Sequence, residues 1–150
     1  MKRIISLTVV FLLCICLLAV PAFAASASAT LTGPGTVRAG DTIALTFNLN
    51  GTGIFGASGT LSYDANQLTL TGTSQVVGSG WMVEFNGNNF VAYDNNLAKP
   101  INSSTALFTA TFKVKSLSTG TAVKVSFTNV TASDGSADIA IGTVSYSATI

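Results

Sequence analysis

The side chains here that could do chemistry are few, and their types narrow what that chemistry is. The sequence has 150 residues and no histidine. Its two cysteines, Cys14 and Cys16, lie inside an apolar run near the amino terminus. Imidazole acid–base catalysis is therefore excluded, and so is a thiol nucleophile once that run is removed. Six carboxylates remain: Asp41, Asp64, Glu84, Asp94, Asp134 and Asp138. A glycosidase needs two such groups facing each other, one with a raised pKa. Asp64, Glu84 and Asp94 each fall at or beside a predicted turn, where a solvated carboxylate is expected. Asp134-Gly135-Ser136-Ala137-Asp138 places oxygen side chains at alternate positions, loosely like the start of a calcium loop. It lacks the central glycine and the closing bidentate glutamate of an EF-hand loop, so an ordinary polar loop is expected. The sequence thus predicts no catalytic residue, no metal site and no cofactor.

Sugar stacking needs exposed flat rings. Trp81 falls on the apolar side of its strand, so a core role is expected. With Tyr63, Tyr93 and Tyr146 it makes no legible strip of three coplanar rings. Asn50-Gly51-Thr52, Asn102-Ser103-Ser104 and Asn129-Val130-Thr131 match the glycosylation acceptor pattern, which chance explains in a chain so rich in Asn and Thr.

Residues 1–24 read as a secretory signal peptide. Met1-Lys2-Arg3 is basic, Ile4 to Val20 is apolar, and Pro21-Ala22-Phe23-Ala24 ends in a small-x-small pattern, with cleavage after Ala24 or Ala27. An uncleaved anchor is the alternative, at the short end of what spans a bilayer. Removing the segment removes both cysteines, so the exported domain, residues 25–150, must rely on its core rather than on disulfides. Its charges are Arg38, Lys99, Lys113, Lys115 and Lys124 against the six carboxylates, a net charge of −1. Nothing in that balance attracts nucleic acid or anionic lipid.

The elements that would position any site are all strands. Period-two alternation predicts strands over residues 29–32, 42–50, 54–62, 68–77, 81–85, 90–93, 105–114, 123–127 and 139–150, the last as one or two strands. Residues 42–50 alternate most clearly, with Ile43, Leu45, Phe47 and Leu49 inward. In 105–114 the inward set is Ala106, Phe108, Ala110, Phe112 and Val114. The 68–77 strand is expected to break at Gly72. Asn86-Gly87-Asn88 is a hairpin turn, since Asn-Gly supplies the positive φ angles of a tight turn. Residues 131–138 are a loop. Eight or nine short strands without a convincing helix predict an all-β fold: a two-sheet β-sandwich with jelly-roll topology. In the strand over 54–62, Phe55, Ala57, Gly59 and Leu61 face inward. Gly56, Ser58, Thr60 and Ser62 form a flat, uncharged outer row that must be covered or used.

Four segments, in order, resemble the cohesin family. Gly53-Ile54-Phe55 through Leu61-Ser62-Tyr63-Asp64-Ala65-Asn66-Gln67-Leu68 is similar to the cohesin strand that runs into a Tyr-Asp-Pro-Asn-x-Leu corner, with Ala65 where the family has Pro. Val37-Arg38-Ala39-Gly40-Asp41-Thr42-Ile43 resembles the approach to the second cohesin strand. Thr105 to Val114 resembles the long strand ending Phe-Lys-Val, and Val144 to Ile150 resembles the closing strand. The resemblance implies a nine-stranded, non-catalytic, monomeric module. It would bind a dockerin-containing protein in a bacterial cellulosome-type assembly for polysaccharide degradation, with calcium carried by the partner. Carried over by position, the contacts would be Gly56, Ser58, Thr60 and Ser62, together with Tyr93, Asp94, Asn95 and Asn96. Gly56 and Ser58 stand where well-studied cohesins often carry Asn and Asp. The alternatives are a carbohydrate-binding module that holds a polysaccharide, and a structural surface subunit that adds strands edge to edge.

Overall fold

The computed structural model describes residues 25–150, so the signal-peptide segment over 1–24 lies outside the described residues. Nine strands are present among the described residues, and no helix. They are β1 (Ala27–Thr32), β2 (Thr42–Gly51), β3 (Gly56–Tyr63), β4 (Leu68–Gln75), β5 (Trp81–Asn86), β6 (Asn89–Asp94), β7 (Thr105–Val114), β8 (Ala122–Ser133) and β9 (Asp138–Thr149). One sheet runs β1-β2-β7-β4 and the other β5-β6-β3-β8-β9, with every pairing antiparallel. The chain crosses between sheets after β2, β3, β4, β6 and β7, which gives the sandwich its jelly-roll order.

Alternation explains most of this. Ile43, Leu45, Phe47 and Leu49 are all buried on β2. Across the β2–β7 ladder large faces small or ring faces ring: Leu45 opposes Ala110 and Phe47 opposes Phe108. Four phenylalanines join the two sheets. Phe47 and Phe108 come from the four-stranded sheet, stacked at 5.1 Å between ring centroids. Phe90 and Phe127 come from the five-stranded sheet and meet Phe108 at 4.9 and 5.5 Å. Aromatic pairs of this kind add about 0.5–1.5 kcal/mol each beyond burial of their area. Gly59 leaves room for that cluster, because a Cβ there would sit 2.8 Å from the Phe90 ring.

The structure departs from strict alternation at bulges. The β2–β7 register shifts between Phe47 and Asn48, so Leu107 is buried while Ala106, expected inward, is half-buried. The carbonyl of Leu107 then accepts from the backbone N–H groups of both Val76 and Val77, at 2.9 and 3.0 Å. Gly72 does not break its strand; β4 continues through a register shift between Leu70 and Gly72. The expectation of a strand ending at Phe127 and a loop over 131–138 is corrected. β8 runs on to Ser133 through a bulge in which Asn129 has φ 51°, so Phe127 and Val130, three apart, both stay buried. Residues 138–149 form one strand rather than two. In the β5–β6 turn only Gly87 has positive φ, which places glycine first in a two-residue turn.

The free edge of β5 is closed by a side chain from the other sheet. Gln75, at the end of β4, donates through Nε2 to the Trp81 carbonyl at 2.9 Å, and its Oε1 accepts from the Val83 N–H at 3.1 Å. Those two groups face away from β6 and would otherwise stand as open ladder positions.

Candidate partner-binding face

β3 lies at the middle of the five-stranded sheet, between β6 and β8. Its outward residues therefore sit within cross-strand rows. One row is Met82, Tyr93, Gly56, Ser133 and Asp138; the next is Glu84, Val91, Ser58, Thr131 and Ala140. Thr60 lies beside Asn89 and Thr128, and its Oγ1 donates to Asn89 Oδ1 at 2.7 Å. Ser62 lies beside Ser126, whose hydroxyl is bonded to that of Ser145 at 2.9 Å. The structure thus brings Gly56, Ser58, Thr60, Ser62 and Tyr93 onto one face. Gly56, having no side chain, floors a shallow depression of about 290 Å³ walled by Tyr93, Val91, Thr131, Ser133 and Asp138.

The charges nearest the depression are carboxylates, Glu84 and Asp138. The Tyr93 hydroxyl donates to Glu84 Oε1 at 3.1 Å, and that carboxylate raises the Tyr93 pKa above its ordinary value. Glu84 is a solvated strand residue, as expected, and Asp138 is exposed at the start of β9.

Asp94 does not join the face. The expectation of a solvated turn carboxylate is corrected: Asp94 is only 3 % exposed and stands opposite Trp81. Alternation on β6 sends Tyr93 outward and Asp94 inward. Its Oδ2 accepts from the backbone N–H of Lys99, and its Oδ1 from that of Asn96 at 3.3 Å. Hydrogen bonds from Lys99 above all, with Asn96 and Ala98 also contributing, hold its pKa below the usual carboxylate range despite desolvation. Asp94 therefore clamps the loop after β6. Asn95 and Asn96 are exposed in that loop, and Asn95 N–H donates to the Gly80 carbonyl at 2.9 Å. Leu97 follows them at φ 52° with 63 % of its surface exposed.

The other carboxylates near turns have local partners. Asp134 Oδ1 accepts from the N–H groups of Ser136 and Ala137 at 2.8 and 2.7 Å, which lowers its pKa and shapes the β8–β9 turn. Asp64 Oδ1 accepts from Asn66 N–H at 2.8 Å at the corner after β3. Among the described residues no three acidic or other metal-ligating side chains converge. Trp81 is 4 % exposed and donates through Nε1 to the Lys99 carbonyl at 2.9 Å, so it is no stacking platform. Tyr63 packs edge-on against Phe112 at 5.1 Å. Buried Tyr146, its pKa raised by desolvation, donates to the Pro34 carbonyl at 2.6 Å.

Sequence reasoning did not single out Met82, Val91 and Leu97. The signal was present for two of them: Met82 and Val91 are large apolar residues on the outward phase of their strands, and they are 44 % and 48 % exposed. Leu97 carried no such signal, because nothing in its neighbours marks a left-handed leucine.

No family model matches the chain, and no curated protein matches it in sequence. Solved structures do match in fold. A cohesin module of a family 33 glycoside hydrolase from Clostridium perfringens superposes with a TM-score of 0.69 at 14 % identity, covering 84 % of this chain and 97 % of that one. A type I cohesin–dockerin complex from Clostridium thermocellum gives 0.62 at 13 %, covering 82 % and 99 %. A non-cellulosomal cohesin from Archaeoglobus fulgidus gives 0.59 at 18 %, covering 82 % and 91 %. At such identities the likeness is one of fold, and that fold is the two-sheet β-sandwich of cohesin modules.

Proposed function

We propose that this chain is a secreted, non-catalytic binding module that docks a dockerin-bearing protein on the outer face of its five-stranded sheet. The observation that carries this reading is the shallow depression over Gly56, flanked by exposed Val91 and by Tyr93, in a sandwich of cohesin fold. Two of the fold neighbours above support the partner and the setting: one is a cohesin–dockerin complex, the other a module of a glycoside hydrolase. In this reading Gly56, Ser58, Thr60, Ser62 and Tyr93 touch the partner directly. Asn95 and Asn96 reach it from the loop, and Asp94 acts through that loop. Calcium belongs to the partner, and the module is a monomer whose leader over 1–24 is cleaved. No helix among the described residues is long and apolar enough to cross a membrane.

The test is calorimetry of residues 25–150 against dockerin-bearing proteins of the same genome, with calcium present. Saturable one-to-one binding supports the reading. Absence of binding to every one of them overturns it. Sedimentation of the free module should give a single species at the monomer mass, and mass spectrometry of the exported protein should find its new amino terminus at Ala25 or Ser28.

A further inference from the structure

Three pairs among the described residues place an amide or a carboxylate directly before a glycine: Asn50-Gly51, Asn86-Gly87 and Asp134-Gly135. In such a pair the glycine nitrogen can reach the side-chain carbonyl carbon before it, because no Cβ on the glycine stands in the way. The three pairs are alike in sequence and held differently in the fold. Gly51 is paired with Ala27 in the β1–β2 ladder, and Asn50 with Ser28. A Cβ on Gly51 would sit 2.6 Å from Ile54 Cγ1 and 3.1 Å from the Ser26 carbonyl, so the backbone there has little room to swing. At Asp134-Gly135 both reacting groups are engaged. Asp134 Oδ1 accepts from the N–H groups of Ser136 and Ala137, and the Gly135 N–H donates to Ser133 Oγ at 3.2 Å.

Asn86-Gly87 has neither restraint. Asn86 ends β5, and Gly87 opens the two-residue turn to β6. The ladder closes on the pairing of Asn86 with Asn89, which leaves Gly87 outside it. Asn86, Gly87 and Asn88 are all exposed, and nothing lies within 4 Å of where a Gly87 Cβ would be. Gly87 has φ 60°, a conformation that glycine enters and leaves at no steric cost. Exposed tips of small polar residues are also where local opening concentrates.

We propose that Asn86 is a modification site, the one of these three positions that deamidates in the folded module. The Gly87 nitrogen attacks Asn86 Cγ, and the new C–N bond closes a succinimide ring. The Asn86 amide nitrogen leaves as ammonia, taking the Gly87 amide proton. Water then opens the ring. Breaking the new bond gives aspartate; breaking the bond to the old backbone carbonyl gives isoaspartate, with the chain routed through the side chain. Either product sets a carboxylate two residues from Glu84 on the same outward phase of β5, in the row shared with Asn89 and Thr60. Isoaspartate also lengthens a tight turn by one main-chain atom. The hairpin thus changes irreversibly with the age of the molecule, whatever docks on the sheet.

The experiment incubates residues 25–150, folded and in denaturant, at neutral and at mildly alkaline pH, and follows each asparagine by peptide mapping with mass spectrometry. In the folded module Asn86 should convert at least about tenfold faster than Asn50, whereas in denaturant the two rates should agree within about twofold. Conversion should speed up at alkaline pH, because a base must take the Gly87 proton, and should yield both aspartate and isoaspartate. Asp134 should show no isoaspartate in the folded module over the same time. Asn86→Ser should abolish the acidic species that accumulates, while melting with the wild type. Equal rates at Asn86 and Asn50 in the folded module overturn the proposal. So does an Asn86 that reacts in denaturant and stays intact in the fold. Both results leave the proposed function standing, since the reaction requires no partner.

Discussion

The two outer faces of the sandwich are built from similar small polar residues and use them differently. On the four-stranded sheet a row of Thr32, Thr46, Thr109 and Ser74 crosses all the strands. Its groups close on one another: Asn48 Nδ2 donates to Thr32 Oγ1 and to the Thr46 carbonyl, both at 3.2 Å, and Thr71 Oγ1 donates to the Thr111 carbonyl at 3.0 Å. Its cation, Lys113, is turned to the Gly40 carbonyl. The five-stranded face has Gly56 and Ser58 at its centre, exposed Met82 and Val91 beside them, and carboxylates at its edges. Hydroxyls alone do not make a binding surface. What separates the faces is exposed apolar area, Met82 and Val91, and carboxylates at the edges.

The largest effect should come from removing what both faces share. Phe108→Ala takes out the ring that touches Phe47, Phe90 and Phe127. It should cost about 3–5 kcal/mol in chemical denaturation and damage both sheets alike. The comparison itself breaks or holds on a matched pair. Ser58→Arg on the five-stranded face should weaken partner binding by about a hundredfold, whereas Thr109→Arg on the other face should change it by less than about twofold, with both variants folded. Equal losses in calorimetry would mean that the faces are not functionally distinct.

A smaller effect concerns the loop that serves only one face. The folded pKa of Asp94 is lowered, so its stabilising contribution is present above the ordinary carboxylate pKa of about 3.9 and is lost as pH falls through the folded value. Asp94→Asn should therefore melt below the wild type at pH 7, with a gap that stays level down to about pH 5 and narrows below about pH 4. A gap independent of pH would remove the charge from the explanation. The smallest effect on stability is expected for Gln75→Ala, about 1 kcal/mol for the side-chain hydrogen bonds. Its clearer signature is concentration-dependent association in sedimentation, through the reopened β5 edge.

Much of the fold was legible because burial follows a period of two. Ile43 to Leu49 and Phe108 to Val114 could be assigned from the sequence alone, and so could the inward phase of Trp81. The misses share a cause. Each bulge inserts a residue and resets the phase, so strict alternation places Leu107 outward and ends β8 at Phe127. The face was partly legible for the same reason, since Gly56, Ser58 and Thr60 keep one phase. At Asp94 the polarity points outward and the position on β6 points inward, and three backbone N–H groups decide for the position. Gln75 was out of reach, because nothing in a run of Thr, Ser and Gly announces that one amide will complete a strand in the other sheet.

That amide also bears on how the chain reaches its fold. β5 and β6 are joined by a two-residue turn and can pair early, as local hairpins do. The strand that carries Gln75 is held by β7, where Gln75 stands opposite Phe108, far along the chain. The guard over the β5 edge therefore depends on a pairing with β7, which lies later in the chain than the hairpin. In refolding, a hairpin formed before that pairing passes through an interval with its edge bare. Yield in that interval should depend on protein concentration and on the speed of β4–β7 pairing, even where the finished module is indifferent to both.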